Sequence, residues 1–288
     1  MKYNIALAQI EPITGDKDKN ISNMKGSLKE ASKNSNIDLI IFPELALTGY
    51  NCGDSFFKLA ETVPGPTTEE FISLAKNYNT YIIWGMPESG LDGILYNTAV
   101  FIGPNGYIGK WRKHTLAGHA SETGFTIDKS FFRAGTNSPV FKTDIGTIGL
   151  MICYDIFFPE ISRLLVLKGA DLLVGIAGSP MFEKNIFEPL IKARAMENAV
   201  WFAFSNLAGR EGKTIYWGGS RLVGSGNKKT KIPGEPIVCQ APYKQPAVVV
   251  GLVDYNVTKE FRPFFPVFRD IRADFYSDLY ECMKNNLI

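Results

Sequence analysis

Eight short apolar runs, each stopped by Gly, Pro, Asn or Asp, constrain this chain more than any other feature. They cover residues 4–10 (NIALAQI), 38–44 (DLIIFPE), 80–88, 96–104, 147–155, 170–178, 200–209 and 246–254. Val, Ile, Leu and aromatic residues dominate them, and most are apolar on both alternating faces, the pattern of strands covered on two sides. Asn105–Gly106 between two such runs marks a hairpin, and a second turn falls near 144–146. Four helical stretches intervene. Residues 18–34 set Ile21, Met24, Leu28 and Ala31 on one face, and 66–78 opens with threonines and acids. Residues 159–169 have Pro159 in their first turn and close at Gly169, while 187–200 has Pro189 near its start. The alternation is unbroken by any linker, so residues 1–288 read as a single α/β domain. Roughly a dozen strands overfill one doubly wound sheet; two stacked sheets with helices outside fit better. Residues 260–288, rich in aromatics and charge, read as packing on the body or on a partner subunit.

A formal net charge of +2 over 288 residues gives no electrostatic case for nucleic acid or an anionic membrane. The basic GNKKTK at 226–231 reads as a solvated loop. The apolar runs near 171–179 and 247–253 are far shorter than a membrane span, and residues 1–12 lack the long apolar segment of a signal peptide. Four cysteines, Cys52, Cys153, Cys239 and Cys282, show no paired spacing, which points to a reducing compartment and a cytoplasmic location. Only two histidines are present, His114 and His119, too few for most His-rich metal centres. Metal chemistry through carboxylates stays open, although no EF-hand, HExxH or P-loop pattern occurs.

Three strand ends carry groups suited to chemistry. Cys153 follows GTIGLMI and precedes a helix opening at Pro159, a junction where a thiol gains exposure and backbone N–H groups lower its pKa or bind an oxyanion. The competing reading is a buried packing cysteine. Glu44 ends DLIIFPE, and partial burial there raises a carboxyl pKa toward general-base work; a helix-start acid is the plain alternative. Lys113 lies just past a hairpin strand, where most lysines are merely solvated.

The words around these residues, FPELALTGY, GKWRKHTL and GLMICYDIFFPE in that order, resemble the nitrilase superfamily of carbon–nitrogen hydrolases. IALAQIEPITGD, YNTAVFIGPNGYIGKWRK, RAMENAVWFAFSNLAG and GGSRLVGSGN extend the likeness over residues 3–275. The resemblance implies a four-layer α-β-β-α sandwich and association as homodimers or larger assemblies. It makes Cys153 the nucleophile, Glu44 the general base and Lys113, with the backbone N–H of Tyr154, the oxyanion-binding group. It also implies a supporting carboxylate, which here is Asp128, seven residues before Gly135, or Glu122. Residues 117–130, with Gly118 and Gly124, read as a surface loop, a catalytic segment or a substrate lid. Where relatives that act on acidic substrates have an arginine, this chain has Phe157, which favours an apolar wall. Ser179 is expected at the pocket edge, or as a turn cap, and His114 as a loop-orienting residue.

The resemblance implies hydrolysis of a small amide or N-carbamoyl compound through a thioester, with neither a metal nor an organic cofactor needed. Nitrile hydrolysis and acyl transfer use the same thiol, and a catalytically silent scaffold retains only the fold. A cysteine peptidase is disfavoured because it needs a histidine partner.

Overall fold

The computed structural model describes residues 1–33, 36–118, 120–121, 124–125, 128–227 and 229–286. Its principal strands are β1 (Lys2–Gln9), β2 (Leu39–Ile41), β3 (Tyr81–Ser89), β4 (Leu95–Gly103), β5 (Gly106–Arg112), β6 (Val140–Thr143), β7 (Gly146–Ile152), β8 (Leu172–Ala177), β9 (Trp201–Asn206), β10 (Arg221–Val223), β11 (Ile237–Gln240) and β12 (Ala247–Asp254). They form two six-stranded sheets, ordered β12-β1-β2-β3-β4-β5 and β11-β10-β9-β8-β7-β6. Helices α1 (Lys17–Ala31) and α2 (Pro66–Tyr78) connect strands of the first sheet. In the second, α3 (Pro159–Leu167) and α4 (Lys184–Met196) do the same.

The sheets repeat one plan. From β12 to β5 the pairings run antiparallel, parallel, parallel, antiparallel, antiparallel. From β6 to β11 the order is identical. Each parallel pairing is bridged by a helical crossover, as parallel neighbours require.

Strand alternation shows why the layers stack. In β1, Ile5 and Leu7 enter the core between the sheets, while Ala6 and Ala8 face the cluster that contains Met24 and Leu28 of α1. The same division holds in β4, with Ala99 and Phe101 on the inter-sheet side and Val100 and Ile102 on the other. The same cluster takes in Ile148, Leu150 and Ile152 of β7 and continues through the second sheet to Leu165 of α3 and Ile191 of α4. Strands apolar on both faces thus sit between two apolar layers, giving the four-layer α-β-β-α sandwich.

Three boundaries differ from expectation. The strand expected over 38–44 keeps ladder pairing only across Leu39–Ile41; Pro43 cannot donate, and Leu45 turns the chain at φ +48°. The strand expected over 147–155 stops at Ile152, because Cys153 takes φ +48° and Cys153–Phe157 curl into a 3₁₀ turn. Helix α4 starts at Lys184, so Pro189 lies in its second turn and removes one backbone hydrogen bond there. Near the C-terminus, the helix Tyr255–Phe261 buries Phe261 against the body. Helix α5 (Ala273–Asn286) instead exposes Phe275, Tyr276, Leu279, Tyr280 and Met283 in the single chain. Among the described residues no helix is long and apolar enough to cross a membrane.

Candidate active site

Side chains from both sheets meet at the carboxyl ends of their strands, where open α/β sheets place ligands. Glu44 lies three residues beyond β2, and Lys113 directly follows β5. Cys153 directly follows β7, and Asp128 comes from the short helix Asp128–Phe131. All four are buried. The Lys113 ammonium donates to Glu44 Oε1 at 2.8 Å and to Asp128 Oδ2 at 2.5 Å. Glu44 Oε1 also accepts from Asn97 Nδ2 at 2.7 Å, and Oε2 accepts from the Gly178 N–H at 2.7 Å. Asp128 accepts further from the Tyr50 hydroxyl at 2.8 Å and the Ala117 N–H at 3.1 Å. Gly85 makes room for this arrangement, since a Cβ there would lie 2.6 Å from the Glu44 Cα.

The turn bearing Cys153 is held by Asp155. Its carboxylate accepts from Ile152 N–H at 3.0 Å, Trp111 Nε1 at 2.9 Å, His114 N–H at 3.1 Å and Thr115 N–H at 2.8 Å. One side chain therefore ties the end of β7 to the residues flanking Lys113. A left-handed backbone in a non-glycine residue is costly and survives where neighbours over-determine it, and Asp155 supplies that constraint. Behind Lys113, strand β5 is fixed by Glu88, which accepts from Lys110 at 2.6 Å and from Arg112 at 2.9 and 2.6 Å.

Burial sets the electrostatics. Loss of water raises the Glu44 carboxyl above its ordinary value; Lys113 opposes this and Asp128 adds to it. Burial disfavours the Lys113 ammonium, yet Asp128 and Glu44 outweigh that and hold it well above the lysine range. Burial, reinforced by Glu44, Glu183 and Asp128 against Lys113, pushes the Cys153 thiol well above its ordinary value. The expectation of a lowered thiol pKa is therefore overturned: at rest the sulfur is protonated.

The remaining expected residues divide. Tyr154 is half-buried, with its ring 4.9 Å from Phe157 and 5.2 Å from Phe158. Phe157 also meets Phe187 of α4 at 5.2 Å and packs against the main apolar core, so it is as much a core residue as a wall. Ser179 is fully buried and its hydroxyl is committed: it donates to Glu183 Oε2 at 2.7 Å and accepts from Trp217 Nε1 at 2.9 Å. His114 stacks on Trp111, with its ring nitrogens 2.8 Å from the Arg112 carbonyl and 3.0 Å from Ser138 Oγ. Both nitrogens are engaged away from Cys153, which removes a Cys153–His114 dyad. Burial pushes the Cys52 thiol up to about 11, an inert state. Glu122 and His119 lie outside the described residues.

Five further residues complete the surroundings: Asn97, Asp155, Tyr50, Glu211 and Glu183. Glu211 accepts from the Tyr50 N–H at 2.9 Å, the Asn51 N–H at 3.1 Å, Thr14 Oγ1 at 2.7 Å and the Tyr216 hydroxyl at 2.7 Å. It thereby fixes the 48–51 turn whose Tyr50 reaches Asp128. Position two after Cys153 offered a cue for Asp155, since an acid in a tight turn often accepts local N–H bonds. Glu211 and Asn97 act across long sequence separations and gave no local signal.

Two mixed sheets flanked by helices, with thiol, carboxylate and ammonium buried where the sheets meet, define a protein of the nitrilase type. The carbon–nitrogen hydrolase family pattern matches residues 4–232. A nitrilase of Pyrococcus abyssi is 33% identical over 278 residues, covering 94% of this chain and 98% of the relative. An omega-amidase of Xenopus tropicalis is 30% identical over 291 residues, covering 96% and 97%. The crystal structure of a carbon–nitrogen hydrolase from Helicobacter pylori G27 superposes with a TM-score of 0.83 at 23% identity, covering 97% of this chain and 99% of that one. The chain belongs to the carbon–nitrogen hydrolase family, within the nitrilase superfamily.

Proposed function

We propose that this protein hydrolyses a small amide or N-carbamoyl compound through an acyl thioester on Cys153, releasing ammonia or an amine. One observation carries the reading: a buried cysteine at a strained strand end feels the charges of Glu44 and Lys113, themselves bonded to each other at 2.8 Å. Similarity to an omega-amidase supports the choice of an amide bond.

Because the resting sulfur is protonated, attack and deprotonation go together. Cys153 Sγ bonds to the carbonyl carbon as its proton passes to Glu44, and the carbonyl π pair moves onto oxygen. The ammonium of Lys113 and the Tyr154 N–H stabilise that oxyanion. Glu44 then delivers its proton to nitrogen, the C–N bond breaks, and ammonia or an amine leaves. Water attacks the thioester while giving a proton to Glu44. The C–S bond breaks, Glu44 returns the proton to sulfur, and the acid departs. Asp128 holds Lys113 in its charged form throughout.

The test is intact-protein mass spectrometry after brief exposure to small amides, N-carbamoyl amino acids and nitriles, alongside Cys153→Ala. An acyl adduct on the native chain alone, with ammonia released from the amides, is expected. No adduct and no ammonia from any compound would leave the fold as a silent scaffold.

A further inference from the structure

We infer that Asn97 is a positioning residue: it fills one oxygen of the Glu44 carboxylate and so fixes the other, Oε2, as the one that carries the proton. This rests on the hydrolase reading above and deepens it.

Strand β4 turns Ala99 and Phe101 toward the other sheet. Asn97, two residues before Ala99, falls on that same face by the alternation of the strand. An amide breaks the apolar pattern there, and it is fully buried. Its main chain and its side chain serve different partners. The carbonyl accepts from the Lys113 N–H at 2.8 Å, while Nδ2 donates to Glu44 Oε1 at 2.7 Å. One residue therefore holds both the strand end that bears the ammonium and the carboxylate that the ammonium meets.

The two oxygens of Glu44 are loaded unequally. Oε1 accepts from Lys113 Nζ and from Asn97 Nδ2, which matches the two lone pairs of a carboxylate oxygen. Among the described residues Oε2 accepts one bond, from the Gly178 N–H at 2.7 Å. That stretch of chain is itself fixed, since Ser179 donates its N–H to Asn206 Oδ1 at 2.9 Å. Oε2 thus keeps the lone pair that receives the thiol proton and returns it to nitrogen. Without Asn97 each oxygen would accept one bond, and the proton would be divided between them.

The far branch of Asn97 bears this out independently. Its Oδ1 is buried and accepts no hydrogen bond among the described residues. An unsatisfied buried acceptor costs stability, and a leucine of similar size would carry none. Packing alone thus disfavours the amide, whereas holding Glu44 requires its N–H. A donor on a carboxylate favours the ionised form, so Asn97 opposes the burial that raises Glu44 and lets the base work at lower pH.

The test follows ammonia release from about pH 5 to about pH 9. The substrate is whichever of acetamide, butanamide and succinamate the native chain turns over fastest. Asn97→Leu and Asn97→Asp are compared with the native chain, and urea unfolding gives the folded fraction of each. Both variants lose the donor. In each, kcat is expected to fall about tenfold, the scale of one hydrogen bond to a charged group. KM should change little, and the acid limb of kcat/KM should move to higher pH, which a merely structural role would not cause. An acid limb left in place in both variants overturns the inference and leaves the hydrolase reading standing. A loss carried by KM alone overturns it as well, by making Asn97 a substrate contact. If neither variant folds, the amide belongs to the fold and the positioning role falls. Absence of ammonia and of acylation in the native chain with all three amides strikes the hydrolase reading itself, and this inference falls with it.

Discussion

Cys153 joins two costs in one residue, a left-handed backbone at φ +48° and a sulfur stripped of water. Both were invisible in the amino-acid order. An apolar run followed by cysteine told where the thiol sits but not its protonation, which depends first on burial and then on Glu44, Glu183 and Asp128 arriving from other segments. Glu44 was legible as a strand-end acid, and burial does raise its pKa as expected. A pH profile follows with a definite sign. In the proposed mechanism Glu44 is the base and works only when ionised; its folded pKa lies above the ordinary carboxylate value, so kcat/KM for a neutral amide is expected to fall as pH drops through that raised value. Lys113 and Cys153 both titrate well above their usual ranges, so no decline is expected up to about pH 9. A profile with its acid limb at the ordinary glutamate value, or a loss of rate between pH 7 and 9, would contradict the assignment.

Elements came through more clearly than their ends. Helix α2 spans the expected stretch, although Gly65 is its N-cap and the threonines lie inside its first turn, and a hairpin joins β4 to β5 where expected, with Pro104 and Asn105 at its tip and Gly106 taking the positive φ. Boundaries failed where a single residue overrules a pattern: Pro43, Cys153 and the early start of α4 are the cases. The links between elements were not legible, because they are buried polar bonds between residues far apart in sequence. Asp155 is one of these, bringing four donors to one carboxylate. Asp155→Ala strands those donors in the interior and is expected to cost about 3 kcal/mol of stability or more. Asp155→Asn, which keeps an acceptor oxygen, should cost less. Urea unfolding of the two variants and the native chain checks the order, and equal stability of all three would show that the turn is held by packing alone.

At the scale of the molecule, the interleaved pattern of strands and helices led to two stacked sheets, yet it concealed that the second repeats the pairing plan of the first. The repeat resides in pairing order, which no periodicity in the residues reports. Contact between the sheets is what assembles the cluster, since Glu44 and Lys113 hang from one and Cys153 from the other. Phe101 of β4 meets Phe141 of β6 edge-on across that contact, with centroids 5.7 Å apart. Phe101→Ala is expected to destabilise the fold by about 3–5 kcal/mol. In its urea titration, ammonia release and intrinsic fluorescence should be lost together; activity that outlasts the fluorescence change would mean the cluster survives separation of the sheets. The path of β12 gives this architecture a practical side. It returns from the far end of the chain to pair with β1 along its whole length, from Lys2 opposite Asp254 to Gln9 opposite Ala247. Were the backbone nicked between Lys113 and Val140, each piece would hold an incomplete set of reagents, and the later piece would still present a strand shaped to clasp the earlier one. The chain is thus laid out as a split reporter, in which ammonia would register only the reunion of the two fragments.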